Sequence, residues 1–132
     1  MTLKNPPRPI LPVLERLKSL YSAWLPIYKL IPKNHQYSFG LKIDSLLIEV
    51  IEAVSAAVFL IKQDKLPFLK LAIRKLDTIK ILLLVGWENK FIMNTKYADL
   101  SLKLDEIGKM LGGWKGKLEK ENSSSLFKRE EK

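Results

Sequence analysis

Glu49 and Glu52 stand three residues apart in an apolar stretch, a spacing that puts two carboxylates on one face of a helix and suits a metal ion. Carboxylate-bridged metal sites in helical bundles also need Glu-x-x-His pairs on other helices, and this sequence has none. Its one histidine, His35, lies beside Asn34 in a loop-like segment and reads as a solvated turn residue. With no cysteine there is neither a thiolate metal site nor a disulfide framework, in keeping with a reducing cytoplasm. No glycine-rich phosphate loop or strand alternation is present. Catalysis, metal ions and cofactors therefore find no constellation to act through.

What remains is charge. Lys and Arg number 23 against 14 Asp and Glu, a net charge of +9 with a pI near 9.7. That balance favours polyanions, nucleic acid first and acidic membrane surfaces second. The third helical segment concentrates it. With Lys70 as origin and about 100° per residue, Arg74 and Asp77 fall within about 40° of Lys70, opposite an apolar face, with Lys75 and Lys80 on its flanks. Lys80 can lay its stem over the core and keep its ammonium in water. Lys33, Lys42, Lys109, Lys115 and Lys117 are weaker candidates for phosphate contact. The helices offer few Asn or Gln to read bases, so binding is expected to be weakly sequence-specific.

These side chains need elements to hold them. The chain is organised around the stretch Ser38 to Lys62, the longest apolar segment, within a second helix expected to run to about Gln63. Leu46, Leu47, Val50, Ile51, Val54, Ala57, Val58, Leu60 and Ile61 cover half of a helix, and Asp44, Ser45, Glu49, Glu52, Ser55 and Lys62 the other sector. Ile48 and Phe59 interrupt that polar sector and are expected to point outward, as candidates for an oligomer interface. Before it, a proline-rich lead-in, residues 1–12, passes into a first helix with Leu14, Leu17, Tyr21, Trp24, Leu25 and Tyr28 at helical spacing. Pro26 lies inside this helix and Pro32 ends it. The prolines at 6, 7, 9 and 12 break any signal-peptide core, and no segment reaches the roughly 20 apolar residues of a membrane span.

After a turn at Asp64–Leu66, Pro67 opens the third helix, which buries Leu69, Ala72, Leu76, Ile79 and Leu83 and is expected to end at Gly86. Asn94 caps a fourth helix carrying Tyr97, Leu100, Leu104, Ile107, Leu111, Trp114 and Leu118. Gly108 allows a close approach, and Gly112-Gly113 should loosen the last turn. Residues 119–132 read as a polar disordered tail. From Gly116 to Lys132 there are five basic and four acidic residues, so the excess charge belongs to residues 13–118. Short connections favour antiparallel neighbours. The architecture expected is all-α, an up-down-up-down antiparallel four-helix bundle.

The stretch Leu104–Trp114, LDEIGKMLGGW, resembles the C-terminal helix of the Avd family, the accessory variability proteins of diversity-generating retroelements. Tyr97 precedes it at a similar interval. Ile31–Ile43, IPKNHQYSFGLKI, is similar to the family's entry into its second helix at Pro32, Lys33, Tyr37, Gly40, Lys42 and Ile43, and Pro26 matches as well. Leu76–Gly86, LDTIKILLLVG, looks like its basic helix, with Lys80 where a basic residue is usual and Leu84 where many members carry a second. The likeness spans Leu20–Lys117. It implies a non-catalytic bundle that assembles as a pentamer, binds RNA and DNA, and works with a reverse transcriptase in mutagenic copying of template RNA. The four-helix proteins of ribosomal RNA intervening sequences look related through the third helix. They suggest the rival reading, a protein-interaction bundle whose basic surface is incidental. A membrane-surface role is disfavoured, because the basic residues do not line one face beside an exposed apolar one.

Overall fold

The computed structural model describes the backbone of residues 12–130 and the side chains of residues 12–123; the expected N-terminal lead-in lies outside them except for Pro12. Four long helices dominate. α1 spans Pro12–Leu30, α2 Leu41–Phe59, α3 Lys62–Glu88 and α4 Asn94–Glu130. A helical turn at Lys33–His35 and a π-helical turn at Gln36–Gly40 join α1 to α2. Among the described residues there is no strand.

Each helix packs on its neighbours in chain order, and α4 closes the ring by packing on α1. Cross-helix pairs fix the directions. Trp24 meets Asp44 between α1 and α2, Lys75 meets Glu49 between α2 and α3, and Lys62, Lys80 and Trp87 of α3 meet Glu121, Asp105 and Tyr97 of α4 in descending order. Neighbouring helices run antiparallel. The bundle is up-down-up-down.

The core is the sum of four stripes. Leu69, Ala72, Leu76, Ile79 and Leu83 of α3 are all buried, as are Leu100, Leu104, Ile107, Leu111 and Leu118 of α4. α1 departs from its expected stripe. Leu25 is 39% exposed, while Leu20 and Ile27 are buried beside Leu17 and Trp24. The buried seam of α1 is thus turned toward Leu20 and Ile27, leaving Tyr21 and Tyr28 at its edge. On α2, Ile48 and Phe59 do face outward, at 41% and 87% exposure. Ile61 does not join the core, because α2 stops at Phe59 and the extended backbone at Leu60 and Ile61 ends the helical rotation that would have carried it inward.

The helix ends differ from the sequence reading in three places. α3 starts at Lys62, so Pro67 lies inside it rather than opening it. Lys65, in the first turn of α3, holds this corner by donating to the Ala57 and Val58 carbonyls, which have no partner within α2. Gly86 is not a cap. The Phe91 N–H reaches the Gly86 carbonyl at 2.8 Å and the Lys90 N–H reaches Trp87 at 3.0 Å, a Schellman closure whose left-handed residue is Lys90, φ 65°. Gly112 and Gly113 leave α4 unbroken, and the stretch 119–130, read as a tail, continues that helix. There Leu118 is buried and Glu121 pairs with Lys62 at 3.0 Å.

Candidate nucleic-acid interface

α3 supplies the rigid bar on which the basic residues stand. Lys70 and Arg74 are exposed on its outer face, and neither ammonium nor guanidinium makes an ion pair among the described residues. Nearly two turns beyond Arg74, Lys80 reaches across to α4, where its Nζ lies 3.5 Å from Asp105 Oδ1. A Cβ at Gly108 would stand 3.4 Å from that Nζ. The glycine expected to admit a neighbouring helix instead makes room for the Lys80 ammonium. Lys80 and Lys109 line one cleft of about 370 Å³ with Asp77, Asp105 and Gly108.

The remaining candidates lie elsewhere. Lys75 sits in the α2–α3 seam, 3.1 Å from Glu49, on the opposite side of α3 from the cleft. Lys33 and Lys42 are exposed around the α1–α2 connection, at the far end from Lys70. Lys115 lies 3.9 Å from Glu119 within α4, and Lys117 is exposed. Lys80 and Lys109 therefore share the α3–α4 cleft, Lys70 and Arg74 stand on the outer face of α3, and the other five lie elsewhere.

Two features went unread in the sequence. Asp44, assigned to the polar sector, turns toward α1 and accepts the Trp24 indole N–H at 3.2 Å. The aromatic residues of the two connections also meet at one end of the bundle. His35 stacks on Phe91 with centroids 4.5 Å apart, Phe39 packs edge-on to Phe91 at 5.5 Å, and Trp87 stacks on Tyr97 at 5.1 Å. Each aromatic alone looked like core or turn. Only the pairing of segments some 50 residues apart brings them together, and the nearest signal in the sequence is Gly86, over which Phe39 lies.

Among the described residues no group of three or more His, Asp or Glu is placed to hold a metal ion, and no helix is long and apolar enough to cross a membrane. Fold and surface are those of a basic, antiparallel four-helix bundle whose exposed chemistry is cationic. A family model described as bAvd-like matches residues 11–118, all four helices as far as Leu118, and the chain belongs to that Avd-like family. The family is one of accessory proteins of diversity-generating retroelements, generally without catalytic activity. No curated protein matches the chain.

Proposed function

We propose that this protein binds RNA and DNA through their phosphate backbones and partners a retroelement reverse transcriptase, in the cytoplasm, during mutagenic copying of a template RNA. The observation that carries this reading is the exposed Lys70 and Arg74 on the outer face of α3, without an ion pair among the described residues, on the same helix that brings Lys80 to the Lys80–Lys109 cleft, in a chain of net charge +9. Cationic groups on a rigid helix meet phosphates without ordering a loop, and each phosphate neutralised releases counterion. Asp77 and Asp105 temper the field inside the cleft, so Lys80 engages phosphate by exchanging one anionic partner for another. Family membership supplies the retroelement setting. Targeting to one template falls to the polymerase and the RNA's own structure, since phosphate contacts carry no sequence information. Lys75, Lys33, Lys42, Lys115 and Lys117 add general positive potential. The protein works as a homo-oligomer, a pentamer by resemblance, joined through the face of α2 that bears Ile48 and Phe59; repetition of the patch raises avidity by itself.

The test is the salt dependence of binding. Replacing Lys70, Arg74 and Lys80 with Gln weakens binding to unrelated RNA and DNA sequences alike. It also flattens the slope of log K against log salt by roughly 0.7–0.9 for each phosphate no longer neutralised. Circular dichroism checks that the helices persist. If affinity and slope are both retained, phosphate binding lies elsewhere and the protein-interaction bundle becomes the better reading.

A further inference from the structure

We infer that the end of the bundle formed by the α1–α2 and α3–α4 connections is a stacking platform for unpaired nucleotides, so that single strands are held there as well as on α3. The inference rests on the nucleic-acid reading above and deepens it by naming which form of nucleic acid the molecule takes.

Three aromatic groups face outward at this end. Tyr37, on the π-helical turn, is 79% exposed. His35 is exposed and lies on Phe91 at 4.5 Å with ring planes 26° apart. Trp87 is 37% exposed and lies on Tyr97 with planes 15° apart. One exposed aromatic is ordinary on a protein surface; three around one pair of connections are not explained by the core. The latter two are also held in place. Phe39 backs Phe91 from below and closes on Gly86, where a Cβ would stand 2.6 Å from its ring. The Trp87 N–H donates to Asn94 Oδ1 at 2.6 Å, which, with the Tyr97 ring on one face, fixes the partly exposed indole. Lys90 holds its left-handed backbone between Trp87 and Phe91, a conformation disfavoured for lysine and kept by the closure around it.

The charge around these rings is one-sided. The segments 29–42 and 86–97 carry Lys29, Lys33, Lys42, Lys90 and Lys96 against one carboxylate, Glu88. Flat π-faces flanked by ammonium groups suit a polyanion whose bases are free to stack, and every base has such a face. A duplex hides its base faces within its own stack and would meet only the lysines. The rings therefore add stacking affinity for single strands and none for duplexes, which gain only the lysine contacts.

The full chain is titrated with oligouridylate and oligothymidylate of about ten nucleotides, within the usual span of a single-strand site, and with a duplex of matched phosphate number, following tryptophan fluorescence. Single strands are expected to quench the emission, and Trp87→Phe to remove that quench. Tyr37→Ala should weaken single-strand binding about tenfold, toward the lower end of the range for removing one base stack, with duplex binding unchanged and Tyr37→Phe restoring it. Tyr37 is exposed, so these changes leave the fold intact. Equal weakening on duplex and single strand, or none on either, overturns the platform. Intact duplex binding without a single-strand quench also overturns it and assigns the aromatics to a protein partner. Binding that responds only to the Lys70, Arg74 and Lys80 replacements sinks the platform while the function stands. If the parent chain binds no oligonucleotide at all, both readings fall.

Discussion

Asp44 is the residue whose role changes most between the chain and the fold. Trp24 is wholly buried in α1, and burying an indole N–H without an acceptor costs about 1–3 kcal/mol. Asp44 of α2 supplies that acceptor at 3.2 Å. Tyr21, one turn before Trp24, faces the same carboxylate, and its hydroxyl pKa is raised above the ordinary 10.0, by burial first and then by the hydrogen bond and charge of Asp44. The folded state thus holds the Tyr21 proton more tightly than the unfolded state does. Its contribution to stability is complete below a pH of about 10 and is lost as pH rises through the folded pKa. Tyr21→Phe should therefore be less stable than the parent near neutral pH, and the gap should shrink above a pH of about 10. Urea melts of the pair across that range measure it. A gap that does not change with pH would detach Tyr21 from Asp44.

At the scale of elements, the glycines divide into two physical kinds. Gly86 lies within α3 where a Cβ would meet Phe39 at 2.6 and 2.9 Å and Ile92 at 3.0 Å, so its missing side chain lets the α1–α2 connection close on α3. Gly112 and Gly116, in the interior of α4, have nothing within 4 Å of where a Cβ would stand. Gly86→Ala overpacks that junction and should cost about 1–3 kcal/mol. Gly112→Ala should instead stabilise the isolated chain by about 0.5–1 kcal/mol, because alanine loses less backbone entropy on entering a helix. Denaturation midpoints of the two variants should move in opposite directions. A fall for both would mean that the outer face of α4 is closely covered in solution. α3 runs past Gly86 because the residue that takes the left-handed conformation of its Schellman closure is Lys90.

For the whole molecule, the outer face of α2 leaves apolar area without an internal partner. Leu41 is 45% exposed, Ile48 41% and Phe59 87%, the last at the very end of the helix. Against this, a net charge of +9 opposes self-association at low salt. If this face joins copies of the chain, Ile48→Asp with Phe59→Asp should lower the mass measured by light scattering while helix content stays constant. The two new carboxylates change the net charge from +9 to 9 − 2 = +7. Reduced repulsion by itself favours association, so a fall in mass would report the removal of apolar burial between copies. An unchanged mass removes these residues from the interface, and a monomeric parent removes the assembly.

The sequence by itself determined that there are four helices and which faces of α3 and α4 turn inward. It also determined that Ile48 and Phe59 turn outward. Those features follow from a rotation of about 100° per residue, which local backbone geometry fixes wherever a helix persists. Tertiary structure decided where the rotation stops and what each polar group meets. Pro67 sits inside α3, whose first turn is tied to α2 by Lys65, and Ile61 leaves the core because α2 has already ended. Likewise a helical wheel puts Lys75 and Lys80 on opposite flanks of the core without naming what either meets, and packing gives one Glu49 on α2 and the other Asp105 on α4. The aromatic end of the bundle is the extreme case, since His35 and Phe91 belong to two different connections, some 56 residues apart, and meet only in the packed bundle. Periodicity is a property of neighbours along the chain, whereas an ion pair or a stacked ring depends on residues that the chain alone leaves far apart.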